Sequence, residues 1–97
     1  MPIYVGLYKF TEEGRQQVKT FADRMDAARA SAEKLGITVL GQYVTMGEYD
    51  AVTIVEAPDD ATVAKAAAQI LARGHTVSVT MRAFTPDEFR TITRDLR

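Results

Sequence analysis

Ninety-seven residues, 46% of them hydrophobic and 26% charged, make one globular domain over 1–97 and leave no room for a second core. A net charge of -1 sets up no field that would draw the chain to nucleic acid or anionic lipid. The lack of cysteine and the single histidine exclude thiol catalysis, disulfides and Cys- or His-rich metal sites, so no metal and no cofactor is expected.

The N-terminus enters a strand pattern directly after Pro2, with no basic or long apolar leader region. No stretch reaches the ~18 apolar residues of a membrane span, so the expected location is cytoplasmic. Ile3, Val5 and Leu7 alternate with Tyr4, Gly6 and Tyr8, the period-two signal of a first strand. Thr11 is a helix N-cap with Glu12 and Glu13 in the first turn, where carboxylates meet the positive end of the helix dipole. Val18, Phe21, Met25, Ala28, Ala32 and Leu35 then recur at helical spacing. A helix this long has Gly14 or the polar stretch around Asp23 as its break, and Gly36 as its C-terminal stop.

Residues 37–45 form a second strand rich in Val, Ile, Thr and Tyr. Gly47 suits a two-residue hairpin turn, and a third strand follows over 50–56. Asp59 caps the next helix, whose buried face carries Val63, Ala67, Ile70 and Leu71 before Gly74 ends it. Its many alanines permit close approach to a sheet. A fourth strand spans 76–84. Thr85-Pro86-Asp87-Glu88 is a capping box with proline at the first helical position, and Phe89, Ile92 and Leu96 give the last helix an apolar stripe. Arg90, Arg94 and Arg97 make that end basic, as the helix dipole favours.

Strand, helix, strand, strand, helix, strand and a short helix, taken with right-handed crossovers, predict an α+β domain of ferredoxin-like split β-α-β type. Its four-stranded antiparallel sheet carries two helices on one face, with the short C-terminal helix appended. A two-residue turn at Gly47-Glu48 pairs Tyr43 with Val52, Gln42 with Thr53 and Leu40 with Val55. Alternation then sorts the strands into two rows. The more apolar row, Ile3, Val5, Leu7, Val39, Tyr43, Val52, Ile54, Val77, Val79 and Met81, is expected beneath the helices. Tyr4, Gly6, Tyr8, Leu40, Gln42, Thr53, Val55, Ser78, Thr80 and Arg82 are left on the uncovered face.

That mixed face has two uses. It is a dimer interface with satisfied hydroxyls, or a pocket between facing sheets in which Tyr4, Tyr8, Gln42, Thr53, Thr80 and Arg82 bind a small molecule. In the second reading Arg82 holds an anion or a carbonyl oxygen, and Tyr8 and Gln42 are neutral hydrogen-bonders. The alternative for Arg82 is a structural ion pair with Glu56 or Asp50. His75, after a helix C-terminus, is expected at the surface, and Asp50, beside the turn, is expected to bond the backbone. Glu48, Asp50 and Glu56 are spread over both faces of a strand and make no carboxylate dyad. There is no Ser-His-Asp order, phosphate loop or dinucleotide fingerprint, and no K/R-G-F/Y pattern of an RNA-binding sheet.

The run Tyr43-Val44-Thr45-Met46-Gly47-Glu48-Tyr49-Asp50, then Glu56-Ala57-Pro58-Asp59-Asp60 and Met81-Arg82-Ala83-Phe84, resembles the GYD domain family, as does the opening Tyr4 strand with Thr11 and Gly14. The resemblance covers nearly the whole chain. It departs from the family where Glu48 interrupts the Gly-Tyr-Asp signature, and where Gly74-His75 stands in place of Gly-Asn. The resemblance implies a dimeric α+β barrel, two sheets facing across a two-fold axis, so the expected partner is a second copy, in at least a dimer. Distant members of that group are cofactor-free monooxygenases, muconolactone-type isomerases and amino-acid-sensing regulatory domains, and no settled activity carries over. Three readings follow: a homo-oligomeric small-molecule-binding module; a cofactor-free enzyme in which a Tyr, His or Arg assists proton movement; or a structural or regulatory interaction domain.

Overall fold

The computed structural model describes residues 1–96; Arg97, the last of the three C-terminal arginines, lies outside the described residues. Strand β1 (Ile3–Phe10) leads into a short helix α1 (Glu12–Gln16), whose first turn is closed by the Thr11 Oγ1 accepting the Gly14 N–H at 3.1 Å. A single 3-10 turn at Val18–Thr20 separates α1 from α2 (Phe21–Lys34). The expected break therefore falls between Gly14 and Asp23. Gly36 stops α2 with a φ of +86°, a conformation open mainly to glycine.

Strands β2 (Thr38–Val44) and β3 (Ala51–Glu56) form the hairpin. Gly47 sits at φ +101°, and Tyr43 lies opposite Val52 and Gln42 opposite Thr53, the register expected of the Gly47-Glu48 turn. A bulge between Val39 and Gly41 puts Val39, not Leu40, opposite Val55. Helix α3 (Asp60–Ala72) is capped by Asp59, whose Oδ1 accepts the Thr62 N–H at 2.8 Å and its hydroxyl at 2.7 Å. Strand β4 (Thr76–Ala83) and helix α4 (Pro86–Ile92) complete the chain. The strands run in the order β2-β3-β1-β4, all antiparallel, which is the ferredoxin-like arrangement.

The helices cover the opposite face from the one expected. Tyr4, Gly6, Tyr8, Gln42, Thr53, Val55 and Thr80 line the space beneath Ala28 and Ala32 of α2 and Val63, Ala66, Ala67 and Ile70 of α3. Ser78 and Arg82 pair with Tyr8 and Tyr4 across β4 and so share that side. Of the apolar row, Val39 alone is beneath the helices, brought there by the bulge. Ile3, Val5, Leu7, Val52 and Ile54 point the other way, with Tyr43, Val77, Val79 and Met81 beside them on the open face. The physical reason is volume. Alanine-rich helices lie close to a sheet but fill little of the gap, and the Tyr4 and Tyr8 rings supply what Ala32, Ala66 and Ala67 do not. The core of Tyr4, Ile37, Ala57 and Val63, with Ala32, Leu35, Val55 and Ala66 packed on it, is correspondingly thin.

The box that starts α4 is closed from both sides: Thr85 Oγ1 accepts the Glu88 N–H at 3.0 Å, and Glu88 Oε1 accepts the Thr85 N–H at 2.8 Å. Replacing Thr85 by Ala should cost about 1 kcal/mol, lowering amide-exchange protection over residues 86–92 by roughly fivefold while the sheet keeps its protection. The Thr85 N–H holds the Glu88 carboxyl below its ordinary pKa, as the Thr62 hydroxyl and N–H hold that of Asp59. Folding lowers both values, so what these caps contribute is complete above the unfolded pKa and lost as pH falls through the folded one. Both helix starts should fray in acid, and Glu88→Gln should remove that dependence from α4 alone.

Candidate functional site

The helix layer does not fill the whole sheet. Where α2 begins and α3 ends, a cavity of about 80 Å³ remains, lined by Tyr8, Gln42, Ala51, Thr53 and Thr76 of the sheet, Phe21, Arg24, Met25 and Ala28 of α2, and Ile70, Arg73 and His75. A second hollow of about 70 Å³ shares Tyr8, Gln42 and Thr53 and runs on toward Tyr4 and Thr80.

Tyr8 and Thr53 are hydrogen-bonded to one another at 3.2 Å, and Gln42 Nε2 donates to the Met25 carbonyl at 3.1 Å. Gly6 makes room for this arrangement. A Cβ there would stand 2.8 Å from both the Tyr8 hydroxyl and the Thr53 Oγ1. Arg24 folds back over its own helix start, its Nη1 donating to the Gln17 carbonyl at 3.2 Å and to Thr20. Its guanidinium carbon lies 5.8 Å from the centre of the Phe21 ring, which in turn meets Phe10 edge to face at 4.7 Å. The other guanidinium nitrogen, Nη2, is buried without a partner, and so is Nδ1 of His75.

His75 is held where it is by its neighbours' backbones. The Thr11 N–H donates to the His75 carbonyl at 3.0 Å, and the Thr11 hydroxyl donates to the Gly74 carbonyl at 2.7 Å. Gly14 packs against the His75 carbonyl so closely that a Cβ would come within 2.0 Å of its oxygen. His75 lies in the loop after α3, as expected, but it is half-buried rather than fully at the surface and lines the cavity.

The six side chains expected to bind a ligand share one face, but that face is the covered one. Tyr8, Gln42 and Thr53 reach the first cavity; Tyr4 and Thr80 reach the second. Any pocket they form lies between the sheet and the helices of one chain, not between two sheets. Tyr4 is 4% exposed, and its hydroxyl donates to Asp60 Oδ1 at 2.5 Å. That bond, with burial and the Asp60 charge behind it, raises the phenol above its ordinary pKa. Arg82 stands at the outer edge. Its Nη1 donates to the carbonyls of Ala83 and, at 3.4 Å, Ile3, while the guanidinium lies 4.4 Å from the Phe84 ring and 5.7 Å from that of Tyr4. Neither Glu56 nor Asp50 pairs with it among the described residues. Asp50 accepts the Phe10 N–H at 2.8 Å instead, the backbone role expected of it. Among the described residues no group of three or more His, Asp or Glu side chains comes together.

Arg24 was not among the expected site residues and His75 was assigned to the surface, yet both line the cavity, with Phe21, Met25, Arg73 and Thr76 beside them. The signal for His75 is Gly14, whose close approach requires another backbone against it. Arg24 carries none, because an arginine on an amphipathic helix reads as solvated.

Fold and cavity together define a ferredoxin-like α+β domain with one helix-covered and one open sheet face. The crystal structure of FFRP-DM1 has a similar fold, with a TM-score of 0.61 at 22% identity over 87% of this chain and 100% of that one. The chain belongs to the GYD domain family, whose profile matches residues 4–93. It is 33% identical over 84 residues to the glutamine synthetase and cystathionine beta-lyase binding protein of Thermus thermophilus, a match covering 86% of this chain and 88% of that one.

Replacing Gly14 by Ala should destabilise the fold by about 1–3 kcal/mol, because the atom it meets is backbone and cannot rotate away. Thermal melting measures the loss. An unchanged melting point would mean that α1 does not brace the His75 loop. Tyr4→Phe should flatten stability above pH 10: folding raises the Tyr4 pKa, so its contribution is complete below the unfolded value and lost as pH climbs through the folded one.

Proposed function

We propose that the chain is a homo-oligomeric binding module, at least a dimer, whose protomers meet open sheet face to open sheet face, each keeping a small-molecule pocket between its sheet and its helices. The observation that carries this reading is the open face itself. Val77, Val79 and Met81 are 49%, 47% and 43% exposed, and with Ile3, Val5, Leu7, Val52 and Ile54 they form an apolar row with no layer over it. A protomer of this mass is expected to expose about 5500 Å², against 6633 Å² found. The excess, roughly 1100 Å², is of the order that one partner gives to a stable interface, about 800 Å². The row is apolar along its middle, with Lys9 and Glu56 at its ends, and suits a second copy, since a two-fold interface must be complementary to itself. Phe89, Ile92 and Leu96, bare on the C-terminal arm, add to the surface a partner would cover.

Light scattering of the purified chain should give the mass of two or more 10.7 kDa chains at micromolar concentration. Val79→Glu places a carboxylate on the two-fold face and should halve that mass and lower the melting point. A wild-type mass of one chain defeats the proposal.

A second reading is favoured by the name of the Thermus thermophilus relative, a protein-binding one. In it the module docks on a metabolic enzyme. Co-elution of the purified chain with glutamine synthetase on size exclusion would support this; separate elution of the two would remove it.

A further inference from the structure

The cavity has a charge character of its own. Arg24, Arg73 and His75 are among its twelve lining residues, and no Asp or Glu is. Arg24 makes no ion pair among the described residues. One of its nitrogens is buried without an acceptor, and so is Nδ1 of His75, which lines the same cavity as Arg24. Buried polar atoms are almost always hydrogen-bonded, so two orphans around one space call for an occupant with oxygens to offer. The remaining wall of Phe21, Met25, Ala28 and Ile70 is hydrocarbon.

We infer that this cavity binds a short monocarboxylate, its two oxygens taken by Arg24 Nη2 and His75 Nδ1, its hydrocarbon end set against Phe21, Met25 and Ile70. The inference rests on the pocket part of the proposed function and gives that pocket a ligand class. A guanidinium presents planar, directional donors that match a carboxylate. Nη1 is already spent on Gln17 and Thr20 and Arg73 is an exposed residue at the rim, so the buried donors suit one negative charge rather than a phosphate dianion. Size limits the rest. The hollow is small, about 80 Å³, which suits a short acyl chain. Tyr8 and Thr53 satisfy each other at 3.2 Å, so they border the ligand and add polarity without adding charge.

The test uses the full chain and two probes of one shape, sodium butyrate and neutral butyramide, titrated at constant ionic strength while the amide resonances of Tyr8, Thr53 and His75 are followed. Butyrate should saturate, binding about ten- to hundredfold more tightly than butyramide. Arg24→Met keeps the apolar stem and should abolish that preference; its lost bonds to Gln17 and Thr20 at the start of α2 should lower the melting point only modestly, because an unpartnered buried donor goes with them. His75→Asn gives the same readout should Arg24→Met fail to fold, and should weaken butyrate about tenfold. Equal binding of acid and amide, or undiminished butyrate binding in both variants, overturns the carboxylate assignment but leaves the cavity a binding site. No shift with either probe overturns it together with the pocket part of the proposed function.

Discussion

A four-stranded sheet has two faces to bury, and this chain has one layer of helices to do it with. That constraint runs through the rest of the molecule. The covered face is closed by helices that present alanine, so it can be polar as long as its rings are large and its hydroxyls find partners. Tyr4 meets both conditions: its ring fills the core beneath Ala32 and Ala66, and its hydroxyl ends on Asp60 in the first turn of α3. The uncovered face has no such layer, and its apolar side chains are what water meets in a lone protomer.

Alanine helices also explain why there is a cavity. Close approach works only where the sheet supplies bulk, and between Ala51 and Thr53 on β3 and Ala28 on α2 it does not. The 3-10 turn at Val18–Thr20 redirects the chain there, so that α2 starts with Phe21 and Arg24 turned over the gap rather than away from it. On the far side the Thr11–His75 contacts fix the opposite wall. Polar atoms without partners are thereby built beside a part of the layer that packing leaves unfilled, the usual setting for a ligand site.

Much of the architecture was legible in the residues, because punctuation is a local matter. Thr11, Asp59 and Thr85 cap the helices they were expected to cap, Gly36 ends α2, and the Gly47 turn sets the hairpin register. The faces were not legible, because the rule that apolar rows point inward assumes a single core. Ile3, Val5 and Leu7 obey a different demand from Tyr4 and Tyr8, and alternation alone does not say which row the helices take. Gly6 is the missed clue: a glycine between two tyrosines marks the side on which a ring must lie flat against the sheet. The expected pairing of Leu40 with Val55 failed for a separate reason, since the bulge beside it shifts the register without a proline or a charge to announce it. The grouping of Tyr8, Gln42 and Thr53 survived the inversion, because period-two sorting is blind to which side is up.

The contacts around Thr11 bear on how the molecule assembles in time. Its hydroxyl meets the carbonyl of a residue 63 positions along the chain, and the helix it caps has only five residues. A helix that short has no stability by itself in water. Until the second half of the chain docks, α1 has neither the His75 carbonyl to lean on nor enough turns to persist. Loop closure over such a span is entropically costly and so comes late. The β2–β3 hairpin, by contrast, needs only its own turn. The hairpin is therefore the piece that can form on its own, while α1 and the β1–β4 pairing, which joins residues as far apart as Ile3 and Ala83, both wait for the second half of the chain.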